Sequence, residues 1–126
     1  MILIDTSIWI EFFRGNPDYT SEIILLLEEK KVLGLSCIFG ELLQGAKDKK
    51  EQKILLDYWK CIRSEDQSGL FIKAGILSGQ NKWTSKGVGL IDAAIVCSAL
   101  YSNAQVWTLD KKLAALLPAH SLFQST

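Results

Sequence analysis

The sequence predicts an α/β fold, in which a mainly parallel central sheet is flanked by helices to form a three-layer sandwich. Short apolar runs rich in branched side chains, which are typical of buried strands, alternate along the chain with longer segments of helical periodicity. Parallel strands need such helical crossovers between them. With 126 residues, 48 % of them apolar, we expect a single domain over 1–126.

The elements follow from local signals. Thr20 or Ser21 is expected as the N-cap of the second helix, with lysines in its last turn, and Gly45 is expected near the end of the third helix. Residues 82–89 form a predicted polar loop. The predicted strands are 2–4, 32–36, 104–110 and 120–124, and the predicted helices are 7–13, 20–31, 37–46, 47–60, 67–81, 90–101 and 111–118.

Charge and cysteine content narrow the function classes. Basic and acidic residues are equal at 14 each, which argues against a strongly basic nucleic-acid clamp but not against a local basic patch. Cys37, Cys61 and Cys97 are widely spaced without a CxxC pair, so we expect thiols rather than a zinc site. Because neither a secretory signal nor an apolar run of roughly 20 residues is evident, we expect a cytoplasmic protein without a membrane segment.

Four acidic residues lie in apolar surroundings. Asp5 and Asp110 stand at the ends of predicted strands, whereas Glu41 lies inside an apolar helix and Asp92 at the start of another. Open α/β sheets bind their ligands at the carboxyl ends of the strands. All four side chains could therefore meet at one edge of the sheet.

Each acid also has a structural interpretation. Asp5, Asp92 and Asp110 lie near helix starts, where a carboxylate caps the helix or interacts well with its dipole. Glu41 has apolar neighbours that suggest a largely buried turn, where a carboxylate needs a partner or a metal. Together the four acids favour a metal site, because a cation neutralises clustered carboxylates. Oxygen ligands suit Mg²⁺ or Mn²⁺ better than zinc.

Four segments resemble the motif regions of PIN-domain ribonucleases, particularly the small VapC-type toxins of bacterial toxin–antitoxin pairs. They are LIDTSIWIEFFRG (3–15), GELLQGA (40–46), LIDAAIVCSAL (90–100) and WTLDKKL (107–113), which occur in the family's order and span nearly the whole chain. The resemblance implies a PIN-like fold and a metal-dependent endoribonuclease with a catalytic acidic quartet of Asp5, Glu41, Asp92 and Asp110. It also implies Thr6 or Thr108 as polar groups beside the ligands, a cognate antitoxin and a homodimer.

The residues permit phosphodiester hydrolysis with a metal-activated water. We expect Asp5 and Asp92 to hold the principal ion, and the other two acids to bind a second ion or to orient water. Thr6, Ser7 and Thr108 could hydrogen-bond a ligand carboxylate or a phosphate oxygen.

Lysines near the predicted site could supply contacts to RNA. Lys82 and Lys86 flank Trp83, and Lys111 and Lys112 begin the helix that follows the last of the four acids. A lysine beside a tryptophan can bind a phosphate while the ring stacks on a base. Ordinary solvated faces explain these lysines equally well.

Two alternatives stay open. A haloacid-dehalogenase-like phosphatase would use Asp5 as its nucleophile, but such enzymes carry a second Asp two residues later, where Ser7 stands here. A PIN-like module that binds RNA or protein without catalysis would keep the fold, although the intact quartet argues against it. Magnesium-dependent cleavage of RNA separates these interpretations.

Overall fold

The computed structural model describes residues 1–125, which form four strands and seven α-helices, with two short 3₁₀ turns at Trp83–Lys86 and Ala119–Ser121. In chain order these are β1 (Ile2–Ile4), α1 (Thr6–Phe13), α2 (Pro17–Glu28), β2 (Val32–Gly34), α3 (Ser36–Gln44), α4 (Lys49–Cys61), β3 (Arg63–Ser64), α5 (Leu70–Gln80), α6 (Leu90–Ser102), β4 (Gln105–Trp107) and α7 (Lys111–Ala114).

The sheet has the order β3-β2-β1-β4, and every neighbouring pair is parallel. Ile2 is in register with Val32 on one side and with Gln105 on the other. The predicted α/β sandwich with a parallel sheet is therefore confirmed. Because all four strands run in the same direction, the residues that follow them lie along one edge, which we call the carboxyl edge.

The core is formed by the central strands and by the helices that cover them. All three residues of β1 and of β2 are buried. Helix α6 contributes the small residues Ala93, Ala94 and Ala99, each at most 1 % exposed, so that it packs closely against its neighbours. Among residues 1–125 no helix is both long and apolar enough to span a membrane.

The second helix begins earlier than predicted. Asn16 is its N-cap and accepts a hydrogen bond from the N–H of Asp18 at 3.0 Å, with proline at the first helical position. Thr20 and Ser21 therefore lie inside the helix, and the expected capping by them is wrong. The helix ends at Glu28, so the lysines that we expected in its last turn follow its end.

One predicted strand is absent from the structure, and one observed strand is not among the predicted ones. The strand predicted at 120–124 is wrong, because the structure has the turn Ala119–Ser121 and an isolated bridge between Val106 and Leu122. Strand β3 was not predicted, since its two exposed residues show no apolar pattern. The loop predicted before α6 contains the 3₁₀ turn Trp83–Lys86.

Candidate active site

Asp5 follows β1 at the carboxyl edge and is 7 % exposed. It occupies the N-cap position of α1, yet its side chain makes no capping hydrogen bond. Instead its Oδ2 atom accepts hydrogen bonds from Thr108 Oγ1 at 2.7 Å and from Ser7 Oγ at 3.0 Å. The side chain is thus oriented by two hydroxyl groups, and Oδ1 accepts no hydrogen bond from the described residues.

Both hydroxyl groups also bind the loop that follows β4. Thr108 Oγ1 accepts the N–H of Asp110 at 2.9 Å, and Ser7 Oγ accepts the N–H of Leu109 at 3.0 Å. Each hydroxyl therefore donates to Asp5 and accepts from the backbone of residues 109–110. These bonds fix the ends of β1 and β4 relative to each other.

Glu41 is exposed, so the predicted burial of this residue is wrong. The apolar neighbours Ile38, Phe39 and Leu42 are buried on one face of α3, and Glu41 lies outside that face. Its Oε1 atom accepts a hydrogen bond from Thr6 Oγ1 at 2.8 Å. Thr6 begins the helix that follows Asp5, and this bond therefore directs Glu41 towards the carboxyl edge.

Asp110 caps helix α7, which was the alternative to metal binding that the sequence analysis gave for this residue. Its Oδ1 atom accepts the N–H groups of Lys112 at 2.9 Å and Leu113 at 3.3 Å, at the start of α7. Its Oδ2 atom accepts no hydrogen bond from residues 1–125. Capping therefore uses one oxygen and leaves the other for a ligand.

Asp92 lies in the first turn of α6, where its side chain accepts no hydrogen bond from the described residues. Burial raises the pKa of its carboxyl group, and the charges of Asp110, Asp5 and Glu41 raise it further. Asp92 therefore interacts electrostatically with each of the other three predicted acids. Within the described part of the chain, none of them forms an ion pair with a lysine or an arginine.

The donor set fits a hydrated divalent cation better than a preformed cage. No three His, Cys, Asp or Glu side chains within residues 1–125 are arranged so that they could hold a metal ion together. Mg²⁺, however, usually keeps several waters and is bound through one or two carboxylates. Four oxygen-donor side chains without a cationic partner suit such an ion.

Four lysines lie close in the sequence to two of the acids, Asp92 and Asp110. Lys82, Lys86, Lys111 and Lys112 are all exposed, and none of them forms an ion pair within residues 1–125. The Nζ atom of Lys112 lies 3.3 Å from the place that a Cβ atom on Gly87 would occupy. The side chain of Lys112 thus reaches the glycine that follows the 3₁₀ turn, next to Lys86 in the sequence.

Trp83 does not belong to this surface. Only 6 % of the residue is exposed, and it is part of the hydrophobic core. The turn Trp83–Lys86 folds with its indole inwards, whereas the lysines on either side face solvent. The expectation that Trp83 stacks on a base is therefore corrected, because no ring face is available.

A parallel sheet with interacting carboxylates at its carboxyl edge defines a class of α/β domains suited to binding a cation. The chain belongs to the PIN domain family, whose model matches residues 2–116. The predicted family resemblance is thereby confirmed.

Relatives agree with this assignment. The chain is 29 % identical over 121 residues to "Ribonuclease VapC32" of Mycobacterium tuberculosis, covering 91 % of this chain and 89 % of that protein. The fold is shared with VapBC2 from Rickettsia felis bound to a DNA fragment from their promoter (TM-score 0.72, 23 % identity, 98 % of both chains). It is also shared with a toxin–antitoxin complex from Klebsiella pneumoniae (TM-score 0.76, 19 % identity, 100 % of this chain and 98 % of that chain).

Replacing Asp92 by Asn tests the like-charge cluster. Without divalent cations at neutral pH, Asp92→Asn should melt at a higher temperature than the unmutated protein, because it removes a charge that burial and three carboxylates disfavour. Because the pKa of Asp92 is raised in the folded protein, its carboxyl group does not destabilise the fold while it is protonated. The destabilisation appears as the pH rises through that pKa. The gain should therefore shrink as the pH falls towards about 4, the ordinary range of Asp.

Thermal melts in chelator across this pH range measure the effect. Asp18→Asn is the matched control, since Asp18 is also a first-turn acid, on α2, but is exposed. It should leave the melting temperature unchanged or slightly lowered, because a first-turn acid interacts favourably with the helix dipole. Equal behaviour of both variants would contradict the cluster.

Proposed function

We propose that this protein is a Mg²⁺-dependent endoribonuclease that cleaves RNA phosphodiester bonds in the cytoplasm, as the toxin of a toxin–antitoxin pair. The observation that carries the proposal is that three carboxylates act on the carboxyl group of Asp92, while none of the four acids has an ion-pair partner in the described chain. Membership of the PIN domain family and similarity to a ribonuclease over 91 % of the chain support it.

The acids have distinct roles in this proposal. Asp5 and Asp92 hold the principal ion, whereas Glu41 and Asp110 bind a second ion or orient water. The bound cation supplies an activated water and neutralises charge on the phosphate oxygens. Asp5 suits its role because its two hydroxyl partners occupy Oδ2 and leave Oδ1 free of hydrogen bonds from residues 1–125. Mn²⁺, which also prefers oxygen ligands, should replace Mg²⁺.

RNA cleavage by the purified protein tests this function. Cleavage should require Mg²⁺ or Mn²⁺ and stop in excess chelator. Asp5→Asn should lower the rate by roughly 100-fold or more, because it removes a ligand charge. The variant should still fold, since the Asp5 side chain does not cap α1. Asp57→Asn, at an exposed acid paired with Lys53 on α4, is the control and should keep full activity.

Other outcomes separate the alternatives. Cleavage that persists in chelator would overturn the metal mechanism. Binding of RNA without cleavage would favour the inactive PIN-like module. Hydrolysis of a phosphomonoester that depends on Asp5, with RNA left intact, would favour the phosphatase.

The lysines beside the site form the proposed RNA surface. Lys86→Ala should weaken RNA binding and reduce the slope of log affinity against log salt by roughly 0.7 to 1, the value for one lost phosphate contact. Binding titrations at several salt concentrations measure the slope. Lys53→Ala removes a charge that is also exposed but is already paired on α4, and it should leave the slope unchanged. Identical slopes for both variants would place the RNA elsewhere.

The first two helices are the proposed contact for the antitoxin. Ile10, Ile24 and Leu25 are 37 %, 42 % and 52 % exposed, so these two helices offer apolar side chains that a protein partner could cover. Expression of the chain alone should slow growth, and the cognate antitoxin should relieve this. The Ile24→Glu variant should remain toxic, but the antitoxin should no longer relieve its toxicity. Relief of both proteins would contradict the contact.

We also propose that the protein forms a homodimer. A mass in solution that corresponds to one chain would contradict this.

A further inference from the structure

Asp66 caps a helix to which it does not belong. It lies two residues after β3, on the carboxyl edge, and both of its carboxylate oxygens accept the N–H of Ser36 at 3.0 Å. Asp66 Oδ1 also accepts a hydrogen bond from the hydroxyl group of Ser36 at 2.9 Å, and Oδ2 accepts one from the hydroxyl group of Ser64 at 2.8 Å. Ser36 is the first residue of α3, and the N-cap position itself is held by Leu35, which has no side-chain capping bond. The missing cap is thus supplied from 30 residues away.

Helix α3 connects this cap to the candidate active site. Glu41 lies five residues after Ser36, a distance of roughly 7.5 Å along a helix axis. Its carboxylate bonds Thr6 at 2.8 Å, so its position depends on where α3 begins and how the helix is turned. A helix moves as a unit, and a shift at its first turn would therefore carry Glu41 away from the other three acids.

The segment that holds Asp66 is itself anchored. The N–H of Glu65 donates to the carbonyl oxygen of Gly34 at 2.9 Å, at the end of β2. The Glu65 side chain accepts Ser102 Oγ at 3.2 Å and pairs with Arg63 at 2.8 Å. Asp66 therefore follows directly from a residue bound to β2, β3 and the end of α6, so its carboxylate is a fixed support.

The thiol of Cys37 lies within the influence of both carboxylates. Burial raises its pKa to about 11, and the charges of Asp66 and Glu41 contribute in that order. Cys37 is the second residue of α3, so the charges of the cap and of the proposed ligand both act near the start of this helix.

We propose that Asp66 is a positioning residue of the candidate site, which sets the position of Glu41 by capping the start of α3. This inference rests on the proposed function. Asp66 is not a ligand in this proposal, because Ser36 and Ser64 already occupy both of its oxygens. Its negative charge also suits the positive end of the helix dipole.

Two capping residues give a matched comparison. Asp48 caps α4 by accepting the N–H of Glu51 at 2.8 Å, and α4 carries none of the four acids. Asp66→Ala and Asp48→Ala should both lower the melting temperature by a few degrees, because each removes a helix cap. Only Asp66→Ala should raise the Mn²⁺ concentration that gives half of the metal-induced thermal shift, by roughly 10-fold. It should also lower kcat on RNA while leaving KM unchanged.

Two further variants keep the inference falsifiable. Asp66→Asn should keep the Mn²⁺ midpoint near that of the unmutated protein, since Asn caps a helix about as well as Asp. Ser64→Ala removes one contact of Asp66 and leaves α3 itself unchanged. It should raise the Mn²⁺ midpoint by less than Asp66→Ala does, and it provides the test if Asp66→Ala does not fold.

The outcomes separate this inference from the proposed function. Equal Mn²⁺ midpoints for Asp66→Ala and Asp48→Ala would overturn it, because the apolar packing of α3 alone would then hold Glu41. A defect in Asp66→Asn as large as that in Asp66→Ala would overturn it as well. In both cases the unmutated protein would still show metal-dependent cleavage. If the unmutated protein showed neither a metal-induced shift nor cleavage, the proposed function would fail and this inference with it.

Discussion

Two hydroxyl hydrogen bonds to a single oxygen of Asp5 fix the geometry on which the candidate site depends. Thr108 and Ser7 donate to Oδ2, and each accepts one N–H from the loop after β4. The ends of two neighbouring strands are thereby joined through a side chain rather than through the sheet alone. The same loop begins with Thr108 and ends at Asp110, so the bonds that orient Asp5 also determine where the cap of α7 lies.

Holding like charges together costs stability, and the fold opposes that cost with hydrogen bonds at three of the four acids rather than with counter-charges. Asp5 is held by hydroxyl groups, Glu41 by Thr6, and Asp110 by the first N–H groups of α7. Asp92 has no such hydrogen bond from the described residues, and the pKa of its carboxyl group is raised. Burial and the three neighbouring negative charges thus act together on an acid that the chain does not compensate with a hydrogen bond.

Local patterns in the sequence were enough to predict the positions of those acids that lie at or after the ends of strands. An apolar run followed by an acid identified the positions of Asp5 and Asp110, because the sheet brings such positions to one edge. Longer-range packing decided the rest. The apolar neighbours of Glu41 face the core while Glu41 does not, and the indole of Trp83 turns inwards between exposed lysines. The capping of α3 by Asp66 could not be predicted from the sequence. Asp66 follows a two-residue strand that has no apolar pattern, and it lies 30 residues from Ser36.

The sequence leaves the choice between cap and ligand open for several acids, and the structure shows which of their oxygens the chain itself uses. Asp66 has both oxygens bound by Ser36 and Ser64, which suits the positioning role proposed for it. Asp110 uses one oxygen for capping, and Asp5 uses one for its hydroxyl partners, so each keeps an oxygen for a ligand. Asp92 keeps both. A helix-start position therefore does not by itself distinguish the two roles: capping and metal binding are compatible in one carboxylate as long as the backbone occupies only one of its oxygens.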